Sequence, residues 1–257
     1  MISKKMISVC MATYNGEKYI AEQVESILAQ LGQEDELIVS DDGSTDNTLQ
    51  ILENFNDRRI KIFNHDRKNI KVPFYLRSHL TDKFYFITRN FENALKNAKG
   101  DYIFLSDHDD VWLPAKVETM IKCLDKDNLV ISDAWVVKEN MERQNKLSEY
   151  ANYKKGFWQN IMVKSFYCGC LFAFTKNIKN SILPIPSSVL VHDFWLGLIS
   201  ELKFSSVYIS EPLVLYRRHS NTASNTDVGQ ASKNSIFFII KYRIFLLFAA
   251  ISRYLRR

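Results

Sequence analysis

Three short polar clusters carry the chemistry-bearing side chains of this sequence: Thr13-Tyr14-Asn15, Asp41-Asp42-Gly43-Ser44 and Asp107-His108-Asp109-Asp110. Crowded carboxylates repel one another unless a cation compensates. The third cluster therefore suits Mg2+ or Mn2+, hard ions that keep several waters and share a diphosphate with the protein. The same residues could also form only an acidic cap for the helix that Pro114 opens, because Asp is favourable at a helix N-terminus. In the second cluster, Asp42 and Ser44 have the types of a turn and a helix cap, whereas Asp41 can accept hydrogen bonds from a nucleobase or ribose. Tyr14 offers either an ordinary packing ring or a stacking face for a base.

Three more positions belong to the second half of the chain. His192-Asp193 places a carboxylate where a helix is expected to start, which is favourable with or without a function. His219 follows Tyr216-Arg217-Arg218 and reads as a surface histidine or a metal ligand. Cys168-Gly169-Cys170 has no adjoining basic residue to activate a thiol, so buried packing is its plainer role.

The elements around these clusters explain how they could meet. Met6 to Ala12 reads as a buried strand, and Glu17 to Leu31 places Ile20, Val24, Ile27, Leu28 and Leu31 at helical spacing. Strands follow at Glu36 to Ser40 and Arg59 to Phe63, with a helix carrying Leu49, Leu52 and Phe55 between them. Phe91, Ala94, Leu95 and Ala98 mark another helix, Gly100 ends it, and Asp101 to Leu105 is the next strand. Such alternation predicts βαβ crossovers and a mostly parallel α/β sheet, whose ligands bind beyond the carboxyl ends of the strands. Each polar cluster directly follows a strand, so all three are expected on one edge.

Beyond Asp110 the pattern predicts a helix from Pro114 to about Leu124 and strands at Asn128 to Val137 and Phe166 to Phe174. A helix follows over Val191 to Leu202, then short strands at Val207 to Ile209 and Leu213 to Arg217 around Pro212. Residues 64 to 87 fit no element and read as a loop or small inserted hairpin.

Composition narrows the function classes. The 257 residues are 46% hydrophobic and 25% charged with 8 Gly and 5 Pro, a folded chain that is neither disordered nor fibrous. Its net charge of +5 is confined to one end: six of the 34 basic residues and none of the 29 acidic ones lie from Val228 onward. A near-neutral body disfavours nucleic acid as a partner. Cys10, Cys123, Cys168 and Cys170 lack zinc spacing, and the CxC pair is too close for an easy disulfide, which predicts a reduced cytosolic chain. The N-terminus reads as a strand rather than a signal peptide, and no apolar run reaches about 18 residues, the length a spanning helix needs.

The stretches ISVCMATYNGEKYIAEQVESILAQ, ELIVSDDGSTDNTLQIL, NFENALKNAKGDYIFLSDHDDVWLP, FYCGCLFAFTK, HDFWL and LYRRHSNTAS closely resemble the family 2 glycosyltransferases with the GT-A fold. The resemblance runs from about Met6 to Ser224. It is strongest to the bacterial rhamnosyl- and glucosyltransferases that build O-antigens and capsules. It implies a nucleotide-sugar cleft contacted by Thr13, Tyr14, Asn15, Asp41, Asp107, His108, Gly169 and Cys170, with Tyr14 stacking on the base and Asp41 on base or ribose. It also implies Mn2+ or Mg2+ held by Asp107 and Asp109 with His219 completing the shell, and Asp193 as the general base of an inverting transfer. The implied partners are a UDP or dTDP sugar donor, a lipid-linked saccharide acceptor and the inner membrane surface, with no nucleic acid. Relatives have a shorter connection where this chain has residues 64 to 87, and no role is assigned to Arg89.

Two other classes compete with that reading. A sugar nucleotidyltransferase would share the sheet and the acids but opens on a Gly-rich basic loop that Met6 to Lys18 lacks. A catalytically silent, membrane-associated sugar-binding protein would not need every acidic motif. The expected organisation is a GT-A domain over residues 1 to 227, its nucleotide part about 1 to 112 and its acceptor part about 113 to 227. A basic amphipathic tail over 228 to 257 completes it. In a helix from about Asn234, Ile236, Ile240, Ile244, Leu247, Ile251 and Leu255 share one face beside Phe237 and Phe248, with Lys241, Arg243, Arg253, Arg256 and Arg257 towards the other. That stripe either docks on protein or sinks into the headgroup boundary of an anionic membrane, holding the enzyme peripherally at the cytoplasmic face of the inner membrane.

Overall fold

The computed structural model describes residues 5–77, 81–124, 128–150, 153–162, 167–220, 222 and 234–255. β1 (Ile7–Thr13), β2 (Glu36–Asp41) and β4 (Tyr102–Asp107) are the central strands, and β1 and β2 are buried at every position. That is why they read as near-continuous apolar runs rather than alternating ones. α1 (Ile20–Leu28) turns Ile20, Val24 and Ile27 onto the sheet, and α2 (Thr48–Asn54) leads to β3 (Ile60–Asn64). α3 (Asp82–Asn97) is longer than the apolar spacing indicates, because its first two turns are held by Tyr85 and Thr88 as well as by the Phe91 face.

The second half contributes β5 (Val111–Trp112), α4 (Lys116–Ile121), β6 (Asn128–Lys138), β7 (Arg143–Lys146), α5 (Leu147–Tyr150), α6 (Phe157–Met162), β8 (Phe172–Thr175), α7 (Lys176–Ile182), α8 (His192–Lys203), β9 (Ser205–Arg218) and α9 (Ile236–Leu255). Strand order across the sheet is β3-β2-β1-β4-β8-β6-β9-β5, with β7 beside β6. Pairing is parallel from β3 through β4 and between β6 and β9, and antiparallel where β8 meets β4 and β6 and where β5 meets β9. Layers of helix cover the sheet, and Phe91, Phe104, Phe172, Phe174 and Trp195 are the large side chains wholly inside.

Several local expectations change. Residues 64 to 87 form no hairpin among the described residues; Arg67–Asn69 is a single 3₁₀ turn closed by the Asp66 side chain on Lys68 N, and α3 begins at Asp82. The helix after Pro114 starts at Lys116, because Ala115 takes a left-handed φ of 67° between them. The strand expected from Phe166 starts at Phe172, after a 3₁₀ turn over Gly169–Leu171. The two short strands around Pro212 are one 14-residue strand whose pairing with β6 shifts register near Asp133, where Pro212 has no N–H to give. All four cysteines are free thiols, with Cys168 and Cys170 sulfurs 3.5 Å apart.

The tail helix begins at Ile236 rather than about Asn234; the 227/228 boundary, Arg256 and Arg257 lie outside the described residues. α9 packs on α6 and α8. Its docking face is Tyr242, Leu246 and Ala250, flanked by Phe238, Phe245 and Ala249. The stripe expected from the sequence is the opposite face, exposed at Ile236, Ile240, Ile244, Ile251 and Leu255, whereas Leu247 at its border is partly buried against the core. No described helix is long and apolar enough to cross a membrane.

Candidate active site

Register brings the three polar clusters together. Thr13 pairs with Asp41 and Ala12 with Asp107, so β1, β2 and β4 end side by side on one edge. The turns after them interlock. Asn15 takes a left-handed φ of 50°, its Oδ1 accepts from Thr45 N at 2.8 Å, and its own N–H donates to Ser44 Oγ at 2.9 Å. A Cβ on Gly16 would lie 2.6 Å from His108 Cδ2, so only glycine lets the first turn rest against the third.

Asp41 is buried with its carboxylate folded into its own turn: Oδ2 accepts from Gly43 N and Ser44 N at 3.0 and 2.8 Å, and Oδ1 from Ser44 Oγ at 2.5 Å. A carboxylate has about four acceptor sites, and the turn occupies three. Asp42, read from sequence as a cap, instead pairs with His65 Nδ1 at 2.8 Å and stands 3.7 Å from the Arg67 guanidinium. Tyr14 is 43% exposed, and Arg67 lies 4.9 Å from its ring and 4.3 Å from that of Phe86. The long insertion thus supplies a cation to the ring that faces solvent. The sequence held no signal for this, because the partners are brought together only by the fold. Thr13 Oγ1 is buried with no hydrogen-bond partner among the described residues, while Thr13 O accepts from Asp42 N and Asn90 Nδ2.

The acidic turn after β4 divides its roles. Asp109 Oδ2 is 2.9 Å from His219 Nε2, both side chains largely buried. Burial alone would raise the Asp109 carboxyl, but the His219 hydrogen bond and the charges of His108 and His219 hold it below the usual carboxylate range. His219 lies against Tyr19, tilted by 33° with centroids 4.8 Å apart, and Tyr19 donates to Glu139 Oε1 at 2.8 Å. Asp107 instead groups with Asp110 and Cys170, their ligand atoms within 4.8 Å of one another. Asp110 Oδ1 accepts from Arg217 N at 3.0 Å, whereas Oδ2 is buried with no nitrogen or oxygen partner among the described residues. Burial and the neighbouring Asp109 charge push Asp110 up to about 8.

These donors fit a divalent cation: hard carboxylate oxygens converge, and Asp110 Oδ2 has no nitrogen or oxygen partner among the described residues. The Cys170 thiol is held neutral by its hydrogen bond with Cys168 and by burial, so the oxygens are the better ligands. Lys116 is wholly buried; its Nζ donates to Cys170 O at 2.8 Å and lies 4.6 Å from the Trp112 ring. Burial lowers its pKa to about 8.

The Gly169-Cys170 turn links this acidic group to α8. A Cβ on Gly169 would stand 2.8 Å from His192 Nε2 and 3.4 Å from Asp193 Cβ. Asp193 sits in the first turn of α8, where the helix dipole favours a carboxylate, and its Oδ1 accepts from Phe194 N at 2.7 Å. His192 is stacked on Phe91 at 4.1 Å, and burial lowers its pKa to about 3, so it is a neutral core ring. Arg89 binds Glu92 and the carbonyls of Ile185, Pro186 and Val189.

The chain is similar to known proteins over most of its length. The profile of the family described as Glycosyl transferase family 2 matches residues 8–72 and 79–182. The dTDP-rhamnosyl transferase RfbG of Shigella flexneri is 29% identical over 238 residues, covering 87% of this chain and 76% of that one. The UDP-Glc:alpha-D-GlcNAc-diphosphoundecaprenol beta-1,3-glucosyltransferase WfgD of Escherichia coli is 28% identical over 225 residues, covering 86% and 80%. S. aureus TarS 1-349 in complex with UDP-GlcNAc superposes with a TM-score of 0.59 at 20% identity, a likeness of fold that covers 86% of this chain and 60% of that one. Sheet, helices and neighbours are those of the GT-A arrangement expected from the sequence, and the chain belongs to the family 2 glycosyltransferases.

Proposed function

We propose that the protein is an inverting, divalent-cation-dependent transferase that moves a hexosyl or deoxyhexosyl residue from a UDP or dTDP sugar to a lipid-linked saccharide, in the synthesis of a bacterial O-antigen or capsule. One observation carries the reading: the Gly169-Cys170 turn touches the Asp107/Asp110 group through Cys170 and Asp193 through Gly169, so an acidic turn and a helix-start carboxylate flank a single turn. The lipid-linked acceptor is taken from the chemistry in the name of the E. coli relative.

In this reading Asp107 and Asp109, with His219, would hold Mn2+ or Mg2+, the Asp110 oxygen beside Asp107 adding a further acceptor, and the ion would neutralise charge on a diphosphate leaving group. Tyr14 offers its exposed ring to the base beside Arg67, and Asp41 keeps one acceptor site for base or ribose. Asp193 takes the proton from the attacking acceptor hydroxyl, and attack opposite the leaving group inverts the anomeric centre. Gly169 and Cys170 line the sugar, with Lys116 fixing the Cys170 carbonyl from below.

The exposed face of α9 fits the interfacial role, with Phe237 78% and Phe248 67% exposed and Lys241 alongside. It would hold the cleft peripherally at the cytoplasmic face of the inner membrane. Arg243 and Arg253 are also spent on the fold, donating to Met162 O and to the carbonyls of Ser181, Leu183 and Pro184.

The test is a panel of UDP and dTDP sugars incubated with the protein, Mn2+ and a lipid-diphosphate saccharide, with products read by mass spectrometry and NMR. A new glycosidic bond of inverted configuration is expected. A retained configuration, or donor consumption with nucleotidyl rather than glycosyl transfer, contradicts the reading.

A further inference from the structure

The segment that delivers Asp193 to the cleft has no strand or helix of its own. Between α7 and α8, residues 183–191 are secured largely by side chains from other elements. From α3, Thr88 Oγ1 donates to Leu190 O at 2.7 Å, Arg89 donates to Ile185 O at 2.8 Å and Pro186 O at 3.1 Å, and Glu92 Oε1 accepts from Ile185 N at 3.1 Å. From α9, the buried Tyr242 hydroxyl accepts from Leu190 N at 3.1 Å and Val191 N at 3.3 Å. Leu190 is thus clamped through its carbonyl by α3 and through its N–H by the tail helix.

The next residues are the functional ones. Val191 is the N-terminal flank of α8, its carbonyl accepts from Trp195 N at 3.2 Å, and Asp193 lies two positions after it. The N–H groups of Leu190 and Val191 lie just ahead of the helix, where no intrahelical acceptor exists, and buried backbone donors need a partner. Here that partner is one phenol contributed from more than 50 residues downstream.

We propose that Tyr242 is a positioning residue for Asp193: by holding Leu190 and Val191 it sets where the first turn of α8 stands against Gly169. This rests on Asp193 being the base. It makes the tail helix part of the catalytic scaffold, so the same helix presents an apolar stripe outward and fixes the acceptor-side carboxylate inward.

The experiment compares the full-length wild type with Tyr242→Phe, Leu246→Ala and Asp193→Asn. Leu246 is wholly buried on the same face of α9, so its truncation loosens docking while the Tyr242 hydroxyl that holds Leu190 and Val191 is kept. The first readout is hydrogen exchange of the ligand-free chain at single-amide resolution. In Tyr242→Phe the Leu190, Val191 and Trp195 amides should exchange at least about tenfold faster, with β1 and β2 unchanged. The second is steady-state kinetics with UDP-glucose or dTDP-rhamnose, whichever the panel above turns over. Because a misplacement of about 1 Å can cost roughly 10²-fold, kcat should fall about 10- to 10²-fold in Tyr242→Phe, with donor KM within about twofold. Leu246→Ala should lower the unfolding midpoint as much or more yet keep kcat within about threefold. If Asp193→Asn is inactive while Tyr242→Phe keeps wild-type kcat, or if kcat in the two α9 variants tracks stability alone, the positioning role is overturned and the base assignment stands. If Asp193→Asn turns over normally, both fall together.

Discussion

His219 Nε2 lies 2.9 Å from Asp109 Oδ2, joining the end of β9 to the acidic turn after β4 across 110 positions of sequence. The contact makes Asp109 a hydrogen-bonded carboxylate rather than a loose one. Asp109→Asn keeps the size of the side chain and an oxygen for His219 but removes the charge that a divalent cation needs. Since metal stabilisation of a leaving diphosphate amounts to several kcal/mol, kcat/KM is expected to fall at least about 10²-fold. The fold should survive by circular dichroism, and Mn2+ titration should shift to higher concentration. Wild-type turnover of this variant in EDTA would contradict the assignment.

Gly169→Ala tests the close approach of the turn to α8. The new Cβ would meet His192 Nε2 at 2.8 Å, and that ring is held against Phe91, so the turn or α8 must move. Overpacking of this kind costs about 1–3 kcal/mol. A lower unfolding midpoint together with a reduced kcat is the expected pair of results, read by calorimetry and donor turnover.

His192 gives a pH dependence whose sign follows from its environment. Burial depresses its pKa to about 3 in the folded chain, against about 6.5 for an unfolded histidine. Below about 6.5 the unfolded state binds a proton that the native state refuses, so this residue removes stability as pH falls towards about 3. Asp110, raised by burial, runs the opposite way, so the measurement is a difference between variants. Between pH 7 and pH 5 the wild type should lose about 2 kcal/mol more than His192→Gln in urea unfolding. Equal losses would show that the ring is charged or solvated in the native state.

How much of this was legible depended on whether burial was continuous. β1, β2 and β4 sit between helices and are apolar along their lengths, so strand, edge and the three clusters at their ends could be read directly. Arg67 over Tyr14, Lys116 against Cys170 and Asp42 against His65 could not, because a charged residue outside an apolar run reads as solvated until a distant partner is known. The tail was legible in part. Its apolar stripe is exposed, while a second face, Tyr242, Leu246 and Ala250 with Phe238 and Phe245, docks on the body, and that second apolar face was not read from the sequence.

That exposed stripe carries a prediction that truncation cannot test, since removing α9 would also strip Tyr242, Leu246 and Ala250 from the body. Ile240→Ser combined with Phe248→Ser leaves the docking face intact, at positions 53% and 67% exposed. Surface changes usually stay within about 0.5 kcal/mol each, so the unfolding midpoint should hardly move. Co-sedimentation with vesicles of mixed zwitterionic and anionic phospholipid should be lost, and retained binding would place the membrane contact elsewhere.

Asp193→Asn tests most directly whether Asp193 accepts the proton of the attacking hydroxyl. Nucleotide-sugar affinity, measured by calorimetry in Mn2+, should change by less than about threefold, while single-turnover transfer slows by about 10²- to 10⁴-fold. A variant that loses donor affinity yet transfers bound sugar at the wild-type rate would contradict the account.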